Sequence, residues 1–139
     1  MSVSPEVQAT FDYLFGLAAK ALHDNRSFAP FGSAVARDGG RTHTTTDLQT
    51  LTSQPTDHLA AILSVLHGQA LSGARTAGVV FDTIAPPGAE GGPNAVCVHA
   101  ETVLGEAVQI FVPYRRDRAD EPVFAEPVLQ DVPKRIFIA

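Results

Sequence analysis

Cysteine, cationic residues and long apolar runs are all scarce in this sequence. Cys97 is its one cysteine, so no internal disulfide can form and a disulfide-stapled scaffold is excluded. The 10 Lys and Arg are outnumbered by 15 Asp and Glu, which gives a formal net charge of −5. Because nucleic-acid binding depends on neutralising phosphates, we expect no nucleic-acid partner. No apolar run approaches the ~20 residues that cross a bilayer, so we expect no membrane partner.

The N-terminal region lacks the basic stretch and apolar core of a signal peptide. Glu6 and Asp12 stand where such a peptide is cationic and apolar, so we expect a cytoplasmic protein. The 139 residues suit one domain, and we expect residues 1–139 to form it. A chain of this size buries enough surface to fold without a metal or cofactor.

Two helices are indicated by apolar side chains at three- and four-residue steps. The first begins at Ser4-Pro5-Glu6, a capping residue followed by a proline at the first helical position, and ends at His23-Asp24-Asn25. The second runs from Ser53 to Gly73, with Ser53 or Thr56 as its cap. Their apolar stripes are Val7, Phe11, Leu14, Phe15, Ala18 and Leu22 in the first, and Leu59, Ile62, Leu63, Leu66 and Ala70 in the second.

Hairpins dominate the rest of the chain. Residues 31–46 predict one hairpin around Arg37-Asp38-Gly39-Gly40, because Asp-Gly is a turn signal. Strands are predicted at Thr76–Ile84, Asn94–Val103 and Ala107–Val112, and prolines restrict the segment after Val123 to edge strands or coil. Ile136-Phe137-Ile138 suits a short strand or a packed plug. The fold class is therefore α+β, in the order α-β-β-α-β-β-β with room for one more short strand. We expect a mostly antiparallel sheet covered by two helices.

Cys97, His99 and Glu101 lie two residues apart on one predicted strand and so share one face of the sheet. A three-residue loop at Leu104–Glu106 would place them on the Gln109 face and pair Val98 with Val112. Their donor types suit zinc, but ligands two apart on a strand are about 6–7 Å apart, which is wide for chelation. We favour a half-exposed sheet face lined by polar residues and a small buried thiol, without a metal.

Two short segments resemble cytidine-deaminase-like enzymes. These are the Pro30–Val35 hairpin arm and His99-Ala100-Glu101, which matches the His-Ala-Glu signature of those enzymes. That chemistry needs one His and two Cys on zinc, with the signature at a helix start. Here the signature lies in a predicted strand and a second cysteine is absent. Phosphate-binding glycine loops and nucleophile elbows are also missing, so we assign no catalytic residue.

A broader resemblance is to a family of short uncharacterised bacterial proteins with a Phe-x-Pro-Phe-Gly opening and a Phe-x-Pro-Tyr closing strand. The matching residues are Phe28, Pro30, Phe31, Gly32, Gly105, Val108, Ile110, Phe111, Pro113 and Tyr114. Such proteins often carry Glu-His-Arg before the last glycine, where this chain has Glu101-Thr102-Val103. The resemblance implies no activity.

Two function classes remain open. We expect a non-catalytic domain that binds itself, as a homodimer, or another protein, because exposed strand edges invite pairing. The alternative is a small-molecule binding protein or undetected enzyme with an anion pocket near the last hairpin. Its candidate ligand-binding residues are Phe28, Phe31 and Tyr114 as walls, with Arg115 and Arg116 holding the anion.

Pro113 also affects where we expect Tyr114, Arg115 and Arg116 to lie. Since proline has no N–H, the strand is expected to stop pairing there. Tyr114 then lies at the end of the sheet with its hydroxyl near water. Arg115 and Arg116 follow in a solvated charged turn.

Overall fold

The fold is built on one seven-stranded sheet with a helix on each face. In the computed structural model, which describes residues 2–46 and 55–138, the elements follow one another in the predicted α+β order, with two short strands after it rather than one. They are α1 Pro5–Asn25, β1 Phe31–Val35, β2 Arg41–Thr44, α2 Pro55–Leu71, β3 Thr76–Ile84, β4 Asn94–Thr102, β5 Ala107–Arg116, β6 Pro122–Phe124 and β7 Val128–Asp131.

The strands lie in the order β2-β1-β3-β4-β5-β6, and every pairing in the described part of the chain is antiparallel. The two last strands share one edge of β5. β6 pairs with Tyr114–Arg116 and β7 with Val108–Phe111. Pro127 lies between them, so the expectation of edge strands in this region is confirmed.

Helix α1 covers one face of the sheet. The Ser4 hydroxyl accepts a hydrogen bond from the Val7 N–H at 3.2 Å, which caps the first turn as the sequence predicts. The buried stripe of α1 packs on the inward side chains of β3, β4 and β5, among them Val80, Val98 and Ile110. Neither described helix is both long and apolar enough to cross a membrane.

Helix α2 covers the opposite face. Ile62 and Leu66 are fully buried against β1 and β3. Gly32 allows this approach, because a Cβ there would lie 2.8 Å from Ile62 Cγ2. The predicted cap Ser53 lies outside the described residues, as does the side chain of the other candidate, Thr56.

The β4–β5 hairpin differs from the predicted register by two residues. Val98 pairs with Ile110 rather than Val112, and the turn is closed by Thr102, whose N–H donates to the Glu106 carbonyl at 2.9 Å. The loop thus sits at Val103–Gly105. Because side chains alternate with a period of two, a slip of two residues leaves every side chain on the face that the sequence predicts.

Strand β5 continues through Pro113 to Arg116, so the expectation that it ends before the proline was wrong. Pro113 lacks a donor but keeps its carbonyl, which accepts the Ala125 N–H at 2.8 Å. The pairing of Tyr114 with Phe124 then extends the strand beyond the proline.

Candidate functional site

The five residues proposed for a ligand pocket come from two segments that are not adjacent in the sheet. Phe28 and Phe31 lie at β1, whereas Tyr114, Arg115 and Arg116 lie on β5. Strands β3 and β4 separate β1 from β5. At the usual spacing of strands β1 and β5 are roughly 14 Å apart, but Phe28, Phe31 and Tyr114 all belong to the one hydrophobic core beneath α1.

The first segment contributes to a run of stacked rings beside α1. The Phe28 and Phe31 ring centroids are 5.9 Å apart, and Phe31 stacks on His43 at 5.3 Å. The Tyr13 hydroxyl is 3.0 Å from His43 Nδ1, and the Arg41 guanidinium lies 4.9 Å above the Tyr13 ring. These rings contact one another, which explains why β2 and α1 hold together at this edge.

Tyr114 is buried, and its hydroxyl donates to both carboxylate oxygens of Asp82, at 2.9 and 3.0 Å. The expectation of a hydroxyl near water was therefore wrong. Burial raises the pKa of Tyr114, and the bond to Asp82 raises it further. Burial also raises the pKa of Asp82, against the opposing effect of the Tyr114 hydrogen bond. The Tyr114 hydroxyl is thus a hydrogen-bond donor that links β5 to β3 across β4.

Arg116 lies against the C-terminal end of α1 rather than in a solvated turn. Its guanidinium donates to the carbonyls of Arg26 at 2.8 Å, Asp120 at 2.9 Å and Leu22 at 3.4 Å. The carbonyls at a helix end have no partner within the helix, so a cation there is favourable. Arg115 is exposed, as expected, and is the freer of the two arginines to meet an anion.

Cys97, His99 and Glu101 share the predicted face of β4, but each is at most 1% exposed. The expectation of a half-exposed polar face was wrong for His99 and Glu101, since the segment Arg135–Phe137 packs on Glu101, whereas the Cys97 thiol is buried as expected. His99 Nε2 is 2.5 Å from Glu101 Oε2, and His99 Nδ1 is 3.3 Å from Gln109 Nε2. Residues 2–46 and 55–138 contain no group of three His, Cys, Asp or Glu side chains arranged to hold a metal ion.

The Glu101 carboxylate binds the C-terminal segment. It accepts backbone N–H bonds from Arg135 at 2.7 Å, Ile136 at 3.0 Å and Phe137 at 3.0 Å. Burial alone would raise the pKa of Glu101, but these bonds and the one from His99 outweigh it and lower the pKa to about 2. Glu101 is therefore an ionised residue that holds this segment in place. Ile136–Ile138 is not a strand, and its packed part is the buried Ile136 with the half-buried Phe137, since Ile138 is exposed.

The sequence reasoning missed the outward side of α2. We call it the uncharged α2 face, and it consists of Ala61, Ser64, Val65, Gly68 and Leu71. Val65 and Leu71 are 46% and 67% exposed. The outward side of α1, in contrast, carries Glu6, Asp12, Lys20 and Asp24. The sequence did contain a signal for this face, because α2 has a single charged residue, Asp57, among its 17 residues.

Comparison with protein-family models, with curated proteins and with solved structures found no match to this chain. Inference about function therefore rests on the geometry of the clusters and surfaces described above.

Proposed function

We propose that this protein is a non-catalytic, self-associating domain whose two copies meet through the uncharged α2 face. The observation that supports this is the exposure of Val65 and Leu71 on a helix whose outward side carries no charge beyond its first turn. Exposed apolar side chains grouped on one surface are typical of interaction sites. The neighbouring residues of the face are small, so the contact is between backbones as well as side chains.

Charge favours this surface for a contact between identical chains. Each copy carries a formal net charge of −5, so two copies repel each other over most orientations. A contact through the uncharged α2 face buries no ionic group and incurs no desolvation cost for one. In a two-fold dimer the same patch meets itself, and an uncharged patch satisfies that symmetry without a partner of opposite charge.

The shape of the face also suits helix-on-helix packing. Gly68 lies near the middle of its exposed side, and no atom lies within 4 Å of where its Cβ would be. Helix pairs approach to about 8–10 Å between axes, at the short end when the contact residues are small. Val65 and Leu71 flank the glycine and would supply the buried apolar area of the contact.

Pairing through sheet edges is less favoured by the structure. β2 has four residues and begins with Arg41, while the opposite edge is divided into β6 with three residues and β7 with four. Short, interrupted edges with charge and proline are the usual means of preventing edge-to-edge association.

The test is sedimentation velocity over a range of protein concentrations. We expect the wild-type chain to approach twice the monomer mass of 14.7 kDa as its concentration rises. Val65→Arg places like charges opposite each other in the dimer and should return it to a monomer. The matched control is Leu17→Arg, which changes a similarly exposed apolar residue on α1, 40% exposed against 46%.

The control variant should sediment as the wild type does. A wild-type chain that stays monomeric at millimolar concentration would overturn the proposal. Dissociation by Leu17→Arg but not by Val65→Arg would move the contact to α1 and overturn it as well.

A further inference from the structure

A second feature, separate from the self-association surface, is a small cleft at the end of the sheet where β3 begins. It lies between the first turns of α1 and the strand ends around Val35, and its volume is about 240 Å³. We call it the Arg41 cleft. Its charged lining residues are Arg41, Arg75 and Glu6. Sites for drug-sized ligands begin at roughly 300 Å³, so this cleft suits a small ion or a single chemical group.

Arg41 places a cation at a fixed position in the cleft. Its Nη1 donates to the Ser33 hydroxyl at 2.9 Å, and its Nη2 donates to the Thr10 hydroxyl at 3.3 Å. Ser33 and Thr10 are both fully buried, and the Tyr13 ring lies 4.9 Å from the centre of the guanidinium. The two bonds use two of the five N–H groups of the guanidinium and leave the others for a ligand.

The charge of Arg41 has no counter-ion among residues 2–46 and 55–138. No carboxylate in those ranges forms an ion pair with its guanidinium, and the two hydroxyls that accept from it are neutral. Burial lowers the pKa of Arg41, because the half-buried guanidinium has lost part of its hydration. Charges that leave water in proteins are normally paired. An anion in the cleft would supply the missing charge.

Arg75 brings a second cation to the cleft. Its side chain is exposed and makes no ion pair or hydrogen bond with any residue that the structure describes. The Arg75 N–H donates to the Val35 carbonyl at 2.9 Å, and Val35 pairs with Arg41 on its other side. Nη2 of Arg75 is 3.7 Å from where a Cβ would lie at Gly39. The guanidinium is therefore beside the β1–β2 turn, at the edge of the cleft.

Glu6 is the one carboxylate among the lining residues, and it neutralises neither arginine. It is exposed and accepts the Thr76 hydroxyl at 3.4 Å. In the neighbouring turn, Asp38 Oδ1 accepts the Gly40 N–H at 2.9 Å. The lining thus has two cations against one anion, in a chain whose formal net charge is −5. This local excess of positive charge favours an anionic ligand, and Glu6 weakens the binding because it repels that ligand.

We propose that the Arg41 cleft binds a phosphate group, either as free phosphate or as the phosphomonoester of a small molecule. Arg41 and Arg75 donate to its oxygens, since guanidinium and phosphate match in geometry and form charge-assisted hydrogen bonds. A phosphate group carries close to two negative charges near pH 7, so it neutralises both arginines. A carboxylate carries a single charge and leaves one arginine without a counter-ion.

The probe is inorganic phosphate, added to the full chain at constant pH and ionic strength and followed by chemical-shift titration. We expect saturable shifts at residues of the cleft. Acetate should bind roughly ten-fold more weakly, since it makes fewer hydrogen bonds to charged groups. Methyl phosphate distinguishes the two sources of the group. Binding as tight as that of phosphate identifies a monoester site and weaker binding a free-phosphate site, and either result supports the proposal.

Arg75→Gln is the decisive variant. Its exposed side chain has no partner among the described residues, so the melting temperature without ligand should not change. Phosphate binding should weaken roughly ten-fold or more. The matched control is Arg115→Gln, another exposed arginine, which lies at the opposite end of the sheet and should bind phosphate as the wild type does.

Two further variants change the charge of the lining in opposite directions. Arg41→Gln should weaken phosphate binding as much as Arg75→Gln does, and its melting temperature is measured alongside because it also loses the bonds to Ser33 and Thr10. Glu6→Gln removes the repelling carboxylate and should tighten phosphate binding roughly three-fold. A change in this direction is not expected from a variant that merely damages the fold.

Four results would overturn the proposal. They are the absence of saturable shifts with phosphate, equal binding of phosphate and acetate, wild-type binding by Arg75→Gln, and an equal loss of binding in Arg75→Gln and Arg115→Gln. The last result would show a general attraction of the anion to arginine rather than a site. Because self-association is measured by sedimentation, neither result depends on the other.

Discussion

The Arg116 guanidinium donates to the carbonyl of Leu22, a residue 94 positions earlier in the chain. This contact joins the end of β5 to the end of α1, where Arg26 adopts a left-handed conformation with a φ of 67°. A residue that looks like part of a surface arginine cluster is therefore the cap of the longest helix described.

Replacing Arg116 and replacing its neighbour should have different effects on stability. Arg116→Ala removes the guanidinium from the carbonyls of Leu22, Arg26 and Asp120, of which Leu22 still accepts the Arg26 N–H, and we expect the free energy of unfolding to fall by about 1–2 kcal/mol. Arg115→Ala removes an exposed side chain and should change it by less than about 0.5 kcal/mol. Urea denaturation measures both, and equal losses would contradict the capping role.

The hydroxyl of Tyr114 should be measurable separately from its ring. Tyr114→Phe keeps the ring but removes the hydroxyl donor from Asp82, which keeps only its backbone bond from Thr83, and we expect a loss of about 1–2 kcal/mol. Tyr114→Ala also removes the ring and should cost about 2–4 kcal/mol. The control is Tyr13→Phe, whose hydroxyl bonds to the exposed His43 and should cost under about 0.5 kcal/mol. A Tyr114→Phe variant as stable as the Tyr13→Phe control would show that the Asp82 bond contributes nothing.

Glu101 should make stability depend on acid pH. Its pKa is lowered in the folded chain from 4.5 to about 2, so the folded state binds fewer protons in this window than the unfolded state. The stabilisation is therefore fully present above about pH 4.5 and is lost as the pH falls towards 2, with an amplitude on the order of 3 kcal/mol.

Chemical denaturation of the wild type and of Glu101→Gln at several pH values checks this. The wild-type advantage should be constant above pH 4.5 and shrink below it. A difference that stays the same down to pH 2 would show that the ionised carboxylate is not what binds the C-terminal segment.

Chelator should leave the melting temperature unchanged. Burial raises the pKa of the Cys97 thiol to about 12, so it is not the thiolate that binds zinc. The oxygens of Glu101 already accept backbone N–H bonds and face His99. Melting with and without EDTA tests this, and a drop that zinc restores would establish a metal site at Cys97, His99 and Glu101.

The sequence predicted the elements well because the signals that define them are local. Ser4-Pro5-Glu6 specifies where α1 begins, and the alternation of side chains placed Cys97, His99 and Glu101 on one face of β4. The turn at Val103–Gly105 lies one residue before the predicted loop, which shifts the pairing register by two residues, and the sequence did not distinguish the two because both keep the same hydrophobic faces.

The roles of individual polar residues were not predictable, because their partners are distant in sequence. Asp82 is 32 residues from Tyr114, and Phe137 is 36 residues from Glu101. Burial of the Glu101 face depends on how the C-terminal segment packs, which no periodicity reveals. The lack of charge on α2 was visible in the sequence, but the structure was needed to show that this side of the helix is exposed.

Site-specific cross-linking tests the central claim, self-association through the uncharged α2 face, most directly. Cys97 is fully buried and is the sole native cysteine, so a cysteine introduced on the surface is the one accessible thiol. Gly68→Cys and Gly16→Cys are matched, because each glycine lies exposed within a helix and has open space around its Cβ position. Under mild oxidation or with a short bismaleimide, we predict a covalent dimer from Gly68→Cys and monomer from Gly16→Cys. Equal cross-linking of the two variants, or none from Gly68→Cys, would contradict the account.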